Sequence, residues 1–114
     1  MNEPIDSLRT YRGLSTRTWK PPLRRTPEGI DYLFHGLASE VGEVSALRKR
    51  QIRDGMPLRE FTERLAAELG DCLWYLDRIA EEHGLSLGEV ALVNVRKLAD
   101  RLERGVLKGE GDHR

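Results

Sequence analysis

Four carboxylates stand where helical periodicity puts apolar side chains. At about 100° per residue, Ile30, Leu33, Phe34, Leu37, Val41 and Val44 form one apolar arc. Glu40 falls inside that arc, between Leu33 and Leu47, and Glu43 lies on its border. Further along, Phe61, Leu65, Leu69, Cys72, Leu76 and Ile79 form a second arc. Glu68 projects within it, and Asp71 and Tyr75 follow along one edge, because spacings of three and four keep to one side of a helix. Like charges about 6 Å apart repel by roughly 3 kcal/mol per pair at an effective dielectric near 20. Four such groups facing one interior must protonate, push their helices apart or share a cation. An all-oxygen donor set favours Mg²⁺ or Mn²⁺ over zinc or copper, and Mg²⁺ takes its remaining ligands from water and substrate phosphates. The competing reading pairs these acids with Arg48, Arg64 or Arg78 on a solvated face.

A complementary charge lies downstream. Asn94, Lys97 and Arg101 line up beside the apolar residues Leu87, Val90, Leu98 and Leu102, with Arg104 slightly further round. Such a column suits a polyphosphate whose other oxygens face a metal. Ordinary surface basic residues are the alternative, and it fits Arg104 better than Lys97 or Arg101.

The elements that must position these groups are helices. No stretch alternates apolar and polar residues for long, so strands are not expected. Thr26, Pro27 and Glu28 open a long helix that runs to about Arg53, where Asp54-Gly55 breaks it. A second runs from about Leu58 to His83, entered through Pro57 and closed by Gly84. Ser86 and Glu89 form a capping box for a third, which ends at Gly105. A shorter helix is expected from about Pro4 to Leu14. The fold class is therefore all-α: an antiparallel bundle of three long helices plus a short N-terminal one. The turn from Asp54 to Pro57 lets the two carboxylate pairs meet. A basic, extended connection carrying Arg17, Trp19, Lys20, Arg24 and Arg25 occupies about residues 16–27, and a Gly-rich tail about 106–114.

Length and composition narrow the classes. At 114 residues and 13.0 kDa the chain holds one domain, residues 1–114, and its 39% hydrophobic content suffices for a core without disulfide or metal staples. Nineteen Lys and Arg offset nineteen Asp and Glu, so the molecule as a whole offers no strong field to nucleic acid or an anionic membrane. Without a signal-like opening or a long apolar run, a soluble cytoplasmic protein is expected. Lone Cys72 reads as a buried small hydrophobe. Leu73, Trp74, Leu92 and Val93 lie off the main arcs and leave more apolar surface than a monomer should show, which predicts a homodimer or a dimer of dimers.

These residues carry a resemblance. EVGEV at 40–44 with ELGDCLWYL at 68–76 is similar to the Glu-x-x-Glu, spacer, Glu-x-x-Asp signature of MazG-like nucleotide pyrophosphohydrolases. GLASEVGEV resembles that family's GLAGEAGEV, and NVRKLADRLERGVLKGEGDHR resembles its third-helix and C-terminal pattern, so the likeness covers about residues 33–114. The resemblance implies an all-α, Mg²⁺-dependent enzyme that cleaves (deoxy)nucleoside triphosphates to monophosphate and pyrophosphate, with nucleotide-pool house-cleaning as the implied role. Carried over by position, Glu40, Glu43, Glu68 and Asp71 would ligate Mg²⁺, with Mn²⁺ as a substitute, and one of them would orient or deprotonate the attacking water. Asn94, Lys97 and Arg101 match phosphate-side positions, and Tyr75 a position beside the metal. Trp19 is the candidate for stacking on the base, and Trp74, pointing away from the metal face, for packing on a partner subunit.

The same residues bear on other classes. A di-iron oxidase needs Glu-x-x-His on two helices, whereas neither His35 nor His83 has a Glu three positions earlier and only His113 does, with Glu110, so the required pair is absent. Zero net charge and inward-facing acids argue against a helix-turn-helix nucleic-acid binder. No Walker P-loop is present. A phosphoribosyl-ATP pyrophosphohydrolase-like enzyme and a noncatalytic helical interaction module remain as alternatives.

Overall fold

The computed structural model describes residues 3–105, and every regular element among them is helical. The expected C-terminal tail falls outside the described residues. Helix α1 spans Leu8–Ser15 and passes through a short 3-10 turn, Thr16–Thr18; α2 spans Pro27–Asp54, α3 Leu58–Glu82 and α4 Leu87–Glu103. The hydroxyl of Thr26 accepts a hydrogen bond from Gly29 N, Pro27 fills the first helical position, and Gly55 ends α2 with φ 69°. Left-handed backbone of this kind suits a residue with no Cβ. Ser86 caps α4 by accepting from Glu89 N.

Two expectations at the N-terminus are corrected. The first helix begins at Leu8, not near Pro4, because the Ser7 hydroxyl accepts from Thr10 N and sets the helix start there. The connection after α1 is not uniformly extended: it makes the 3-10 turn and then a series of turns through residues 21–25, with a cis bond at Pro21-Pro22.

Packing rotates the apolar arcs away from their expected centres. On α2, Leu33 and Leu47 are buried with Leu37, Glu40 and Val44 half-buried between them, whereas Phe34 and Val41 are exposed. On α3, Phe61, Leu65, Glu68, Cys72, Tyr75 and Ile79 form the half-buried stripe, and Leu69 and Leu76 are exposed. Each long helix thus carries two apolar stripes, one spent on the α2–α3 contact and one left on the outside. Helix α4 packs on α1 and α3 and keeps Leu92 and Val93 exposed. No helix among the described residues is long and apolar enough to cross a membrane.

Polar contacts join α1 and the loop to the C-terminal half of α3. Arg12 donates through Nε and Nη2 to Asp77 Oδ1 at 2.9 and 2.6 Å, and Nη2 also reaches the carbonyl of Leu85. Arg78, fully buried, donates to Asp77 Oδ2 at 2.7 Å and to Ser15 Oγ at 2.9 Å, while its Nε lies 3.3 Å from Glu81 Oε1. Thr16 donates to the same Glu81, and Glu82 accepts from Trp19 Nε1 and from the backbone N of Arg25. Trp74 meets Trp19 edge-on and donates its indole N–H to Thr18 Oγ1 at 2.8 Å.

Removing one partner from a buried ion network leaves the other charge uncompensated, at a cost of about 3–5 kcal/mol. Asp77→Ala should lower the unfolding free energy by about that amount in denaturant titrations. A loss well under ~1 kcal/mol, the scale of an exposed pair, would show that Arg78 does not depend on Asp77.

Candidate metal and active site

The α2–α3 contact brings the carboxylates together. Glu40 takes its place on α2 in the buried stripe between Leu37 and Val44, and Glu68 on α3 between Leu65 and Cys72. Asp71 is exposed at the edge. One oxygen from each of Glu40, Glu68 and Asp71 lies within 4.8 Å of the others. Glu43 is exposed and is not part of this trio, because three residues of helix carry it round to the border that its spacing had indicated.

The arginines that might have neutralised these acids are engaged elsewhere. Arg64 pairs with Glu60 at 3.1 Å, Arg48 hydrogen-bonds Gln51, and Arg78 belongs to the Asp77 network. Among the described residues, none of the four site carboxylates makes an ion pair with Lys, Arg or His. Burial raises the pKa of Glu40 above the ordinary carboxylate value, and the charges of Asp71, Glu68 and Glu43 push it the same way. Converging, uncompensated oxygen donors at a half-buried position fit a hard divalent cation, and Glu40, Glu68 and Asp71 are the residues that could hold one.

Tyr75 sits one turn beyond Asp71, half-buried. Burial, the Tyr32 hydroxyl and the charges of Glu40 and Asp71 push its hydroxyl up to about 12. At neutral pH it is therefore a hydrogen-bond donor and not a base. Burial likewise raises the Cys72 thiol, with the charges of Glu40, Asp71 and Glu68 acting the same way, and the side chain is half-buried where the sequence suggested a buried small hydrophobe.

The remaining sequence-derived candidates are spread over two elements. Asn94 is exposed, Lys97 half-buried and Arg101 buried, all on α4. Trp19 is a core residue with only 4% of its surface exposed. Its ring stacks on Tyr32 at 6.1 Å and meets Trp74 edge-on at 5.9 Å, while its N–H goes to Glu82 at 2.7 Å. The exposed face of this cluster belongs to Tyr32, half open to solvent and 6.3 Å from Tyr75. Sequence reasoning missed Tyr32, since nothing in its spacing marks it and only the folded loop brings Trp19 beneath it.

A family model for the MazG nucleotide pyrophosphohydrolase domain matches residues 28–106, a span that includes both carboxylate pairs, Tyr75 and the α4 column. The Gene 37 protein of Mycobacterium phage L5 is 39% identical over 89 residues, covering 76% of this chain and 78% of its own length. No solved structure matches at a significant level.

A carboxyl whose folded-state pKa is raised supports the fold at low pH and withdraws that support as pH rises through the raised value. In chelator at neutral pH, Glu40→Gln should therefore melt at a higher temperature than the parent. The gain should shrink as pH falls below the ordinary carboxylate value, where Glu40 is protonated in both states. A thermal-melt series showing no gain, or one that persists in acid, would mean that charge crowding does not act at Glu40.

Proposed function

The chain belongs to the MazG nucleotide pyrophosphohydrolase family, and from that premise we propose that it hydrolyses nucleoside triphosphates, deoxynucleotides among them, between the α and β phosphates. The products are a nucleoside monophosphate and pyrophosphate. The observation that carries this reading is the convergence of three carboxylate oxygens within 4.8 Å of one another without a cationic side chain paired to them among the described residues. Glu40, Glu68 and Asp71 would hold Mg²⁺, and Glu43, on the next turn of α2, would bind through water or accept the proton of the attacking water. Bound Mg²⁺ supplies charge neutralisation for the departing pyrophosphate and makes water more acidic.

The chain's own residues do the positioning. Tyr75, protonated at neutral pH, donates to an oxygen of the substrate or of a carboxylate at the site's edge. Asn94, Lys97 and Arg101 receive the β and γ phosphates through charge-assisted hydrogen bonds. The base lies toward the aromatic cluster, where Trp19 acts from below by supporting the exposed ring of Tyr32. Antiparallel pairing of α2 and α3 is supported by their contacts: Glu40 meets Glu68 and Asp71, and Gly36, one turn earlier on α2, meets Tyr75, one turn later on α3.

Assembly is part of the same reading. Phe34, Val41, Leu69 and Leu76 are each roughly half exposed, and Phe34 and Leu76 also line, with Leu87 and Val90, a groove of about 290 Å³. A second copy laid on this face would bury it, giving a homodimer or a dimer of dimers.

Three outcomes test these statements. Pyrophosphate should appear from a panel of canonical and modified nucleotides only with Mg²⁺ or Mn²⁺, and Asp71→Asn should bring its release to background in a folded protein; activity that survives the substitution or excess chelator would end the metal-site reading. Lys97→Ala and Arg101→Ala should each weaken triphosphate binding by about tenfold to a hundredfold, the worth of one charge-assisted contact, and leave monophosphate binding nearly unchanged. Equal loss for both ligands would deny these side chains a role at the β and γ phosphates. Light scattering at micromolar concentration should give at least twice 13.0 kDa, and a clean 13.0 kDa particle would contradict assembly.

A further inference from the structure

Glycine in a helix interior weakens the helix relative to alanine, so its presence there calls for a steric reason. On α2 and α3 the reasons differ by position. A Cβ built on Gly42 or Gly70 meets nothing within 4 Å. One built on Gly36 lies 2.1 Å from Cε1 of Tyr75, 2.4 Å from Cζ and 2.8 Å from Cδ1. The ring of Tyr75 therefore rests directly on the backbone of α2. It has little room to retreat, because Trp74 stands edge-on to it at 5.0 Å and Tyr32 lies at 6.3 Å, with Trp19 stacked behind Tyr32.

This contact sits one helical turn from the carboxylates on both helices: Gly36 is four residues before Glu40, and Tyr75 four after Asp71. We propose that Gly36 is a positioning residue for the metal site, setting through the Tyr75 ring the α2–α3 separation at which Glu40 can share a cation with Glu68 and Asp71. The proposal rests on the metal reading above and adds to it a spacer residue that touches neither metal nor substrate. A methyl group at position 36 forces a shift, and with Trp74 and Tyr32 flanking the ring of Tyr75 that shift falls on α2, which moves off α3. A rigid helix transmits that movement one turn along, to Glu40. Small divalent cations tolerate little change in donor spacing.

The test is Mn²⁺ binding, with the metal alone and no nucleotide, followed by electron paramagnetic resonance and accompanied by thermal melts. Gly36→Ala should bind Mn²⁺ at least about tenfold more weakly than the parent, the scale seen when a supporting contact of a metal ligand is lost. Gly70→Ala, whose new methyl meets nothing, serves as the reference for a glycine replaced beside the site. With the ring removed the methyl becomes harmless, so the double variant Gly36→Ala/Tyr75→Ala should bind Mn²⁺ as tightly as Tyr75→Ala does. That comparison decides the matter even if Gly36→Ala alone does not fold. Parent-like affinity in folded Gly36→Ala would overturn the proposal, as would a double variant that binds much more weakly than Tyr75→Ala. Failure of the parent to bind Mn²⁺ would instead overturn the metal reading, and the spacer role with it.

Discussion

Helix packing holds together three carboxylates that electrostatics would drive apart. Glu40, Glu68 and Asp71 converge within 4.8 Å, and burial, with the charges of Asp71, Glu68 and Glu43 behind it, raises the pKa of Glu40. What opposes the repulsion is the contact between α2 and α3, built from Leu33 and Leu47 on one side and the half-buried stripe of Phe61, Leu65 and Cys72 on the other. Repulsion at the centre of a helix pair is resisted best when the pair is fastened on both sides of it. Short turn residues from Gly55 to Pro57 close one end, and the aromatic group of Trp19, Tyr32, Trp74 and Tyr75 fills the other.

The aromatic group in turn depends on the polar network. Trp19 is fixed through its N–H to Glu82, and the same carboxylate oxygen accepts the backbone N of Arg25, whose φ of 61° is unusual for a residue with a Cβ. Asp77 and Arg78 tie α1 to the C-terminal half of α3, beyond the carboxylates. Acidic side chains thus serve two unlike purposes on one helix. Toward the C-terminus of α3, Asp77 and Glu81 are compensated by Arg12 and Arg78 and stabilise the fold. Nearer its middle, Glu68 and Asp71 make no ion pair among the described residues and are suited to an external cation.

Much of this was legible in the sequence. Caps and breakers announced the long helices to within a residue or two, because Thr26-Pro27, Gly55, Gly84 and Ser86 act locally. The inward direction of Glu40 and Glu68 followed from periodicity alone. What periodicity could not decide was which of two apolar stripes each helix turns to its partner. Phe34, Val41, Leu69 and Leu76 are as hydrophobic as the residues actually used, and the choice is made by tertiary fit. Trp19 illustrates the same limit from the loop side: its type and its basic neighbours suit stacking on a base and packing in a core equally well, and the turns at residues 21–25 decide for the core by folding it under α2. Asp77 and Arg78 were equally hidden, since an adjacent acid and base on a helix looks like ordinary solvated charge until Arg12 arrives from far away in sequence.

The same physics links occupancy of the site to the stability of the whole chain. A ligand that binds only the folded state adds RT ln(1 + [L]/Kd), about 2.7 kcal/mol at a hundredfold excess over Kd. That is a large fraction of the roughly 5–15 kcal/mol by which domains are stable. Among the described residues the buried apolar side chains are few, namely Trp19, Leu33, Leu47 and Ala80, while a stripe on each long helix stays outside. A fold with so small an internal core gains most from whatever removes its two outstanding penalties, the crowded carboxylates inside and the uncovered apolar stripes outside. Cation binding would relieve the first and association the second, and both act on the same two helices. A cation would hold α2 and α3 at the spacing that the Gly36–Tyr75 contact already sets, and the outer face that a second copy would cover is carried by that same pair.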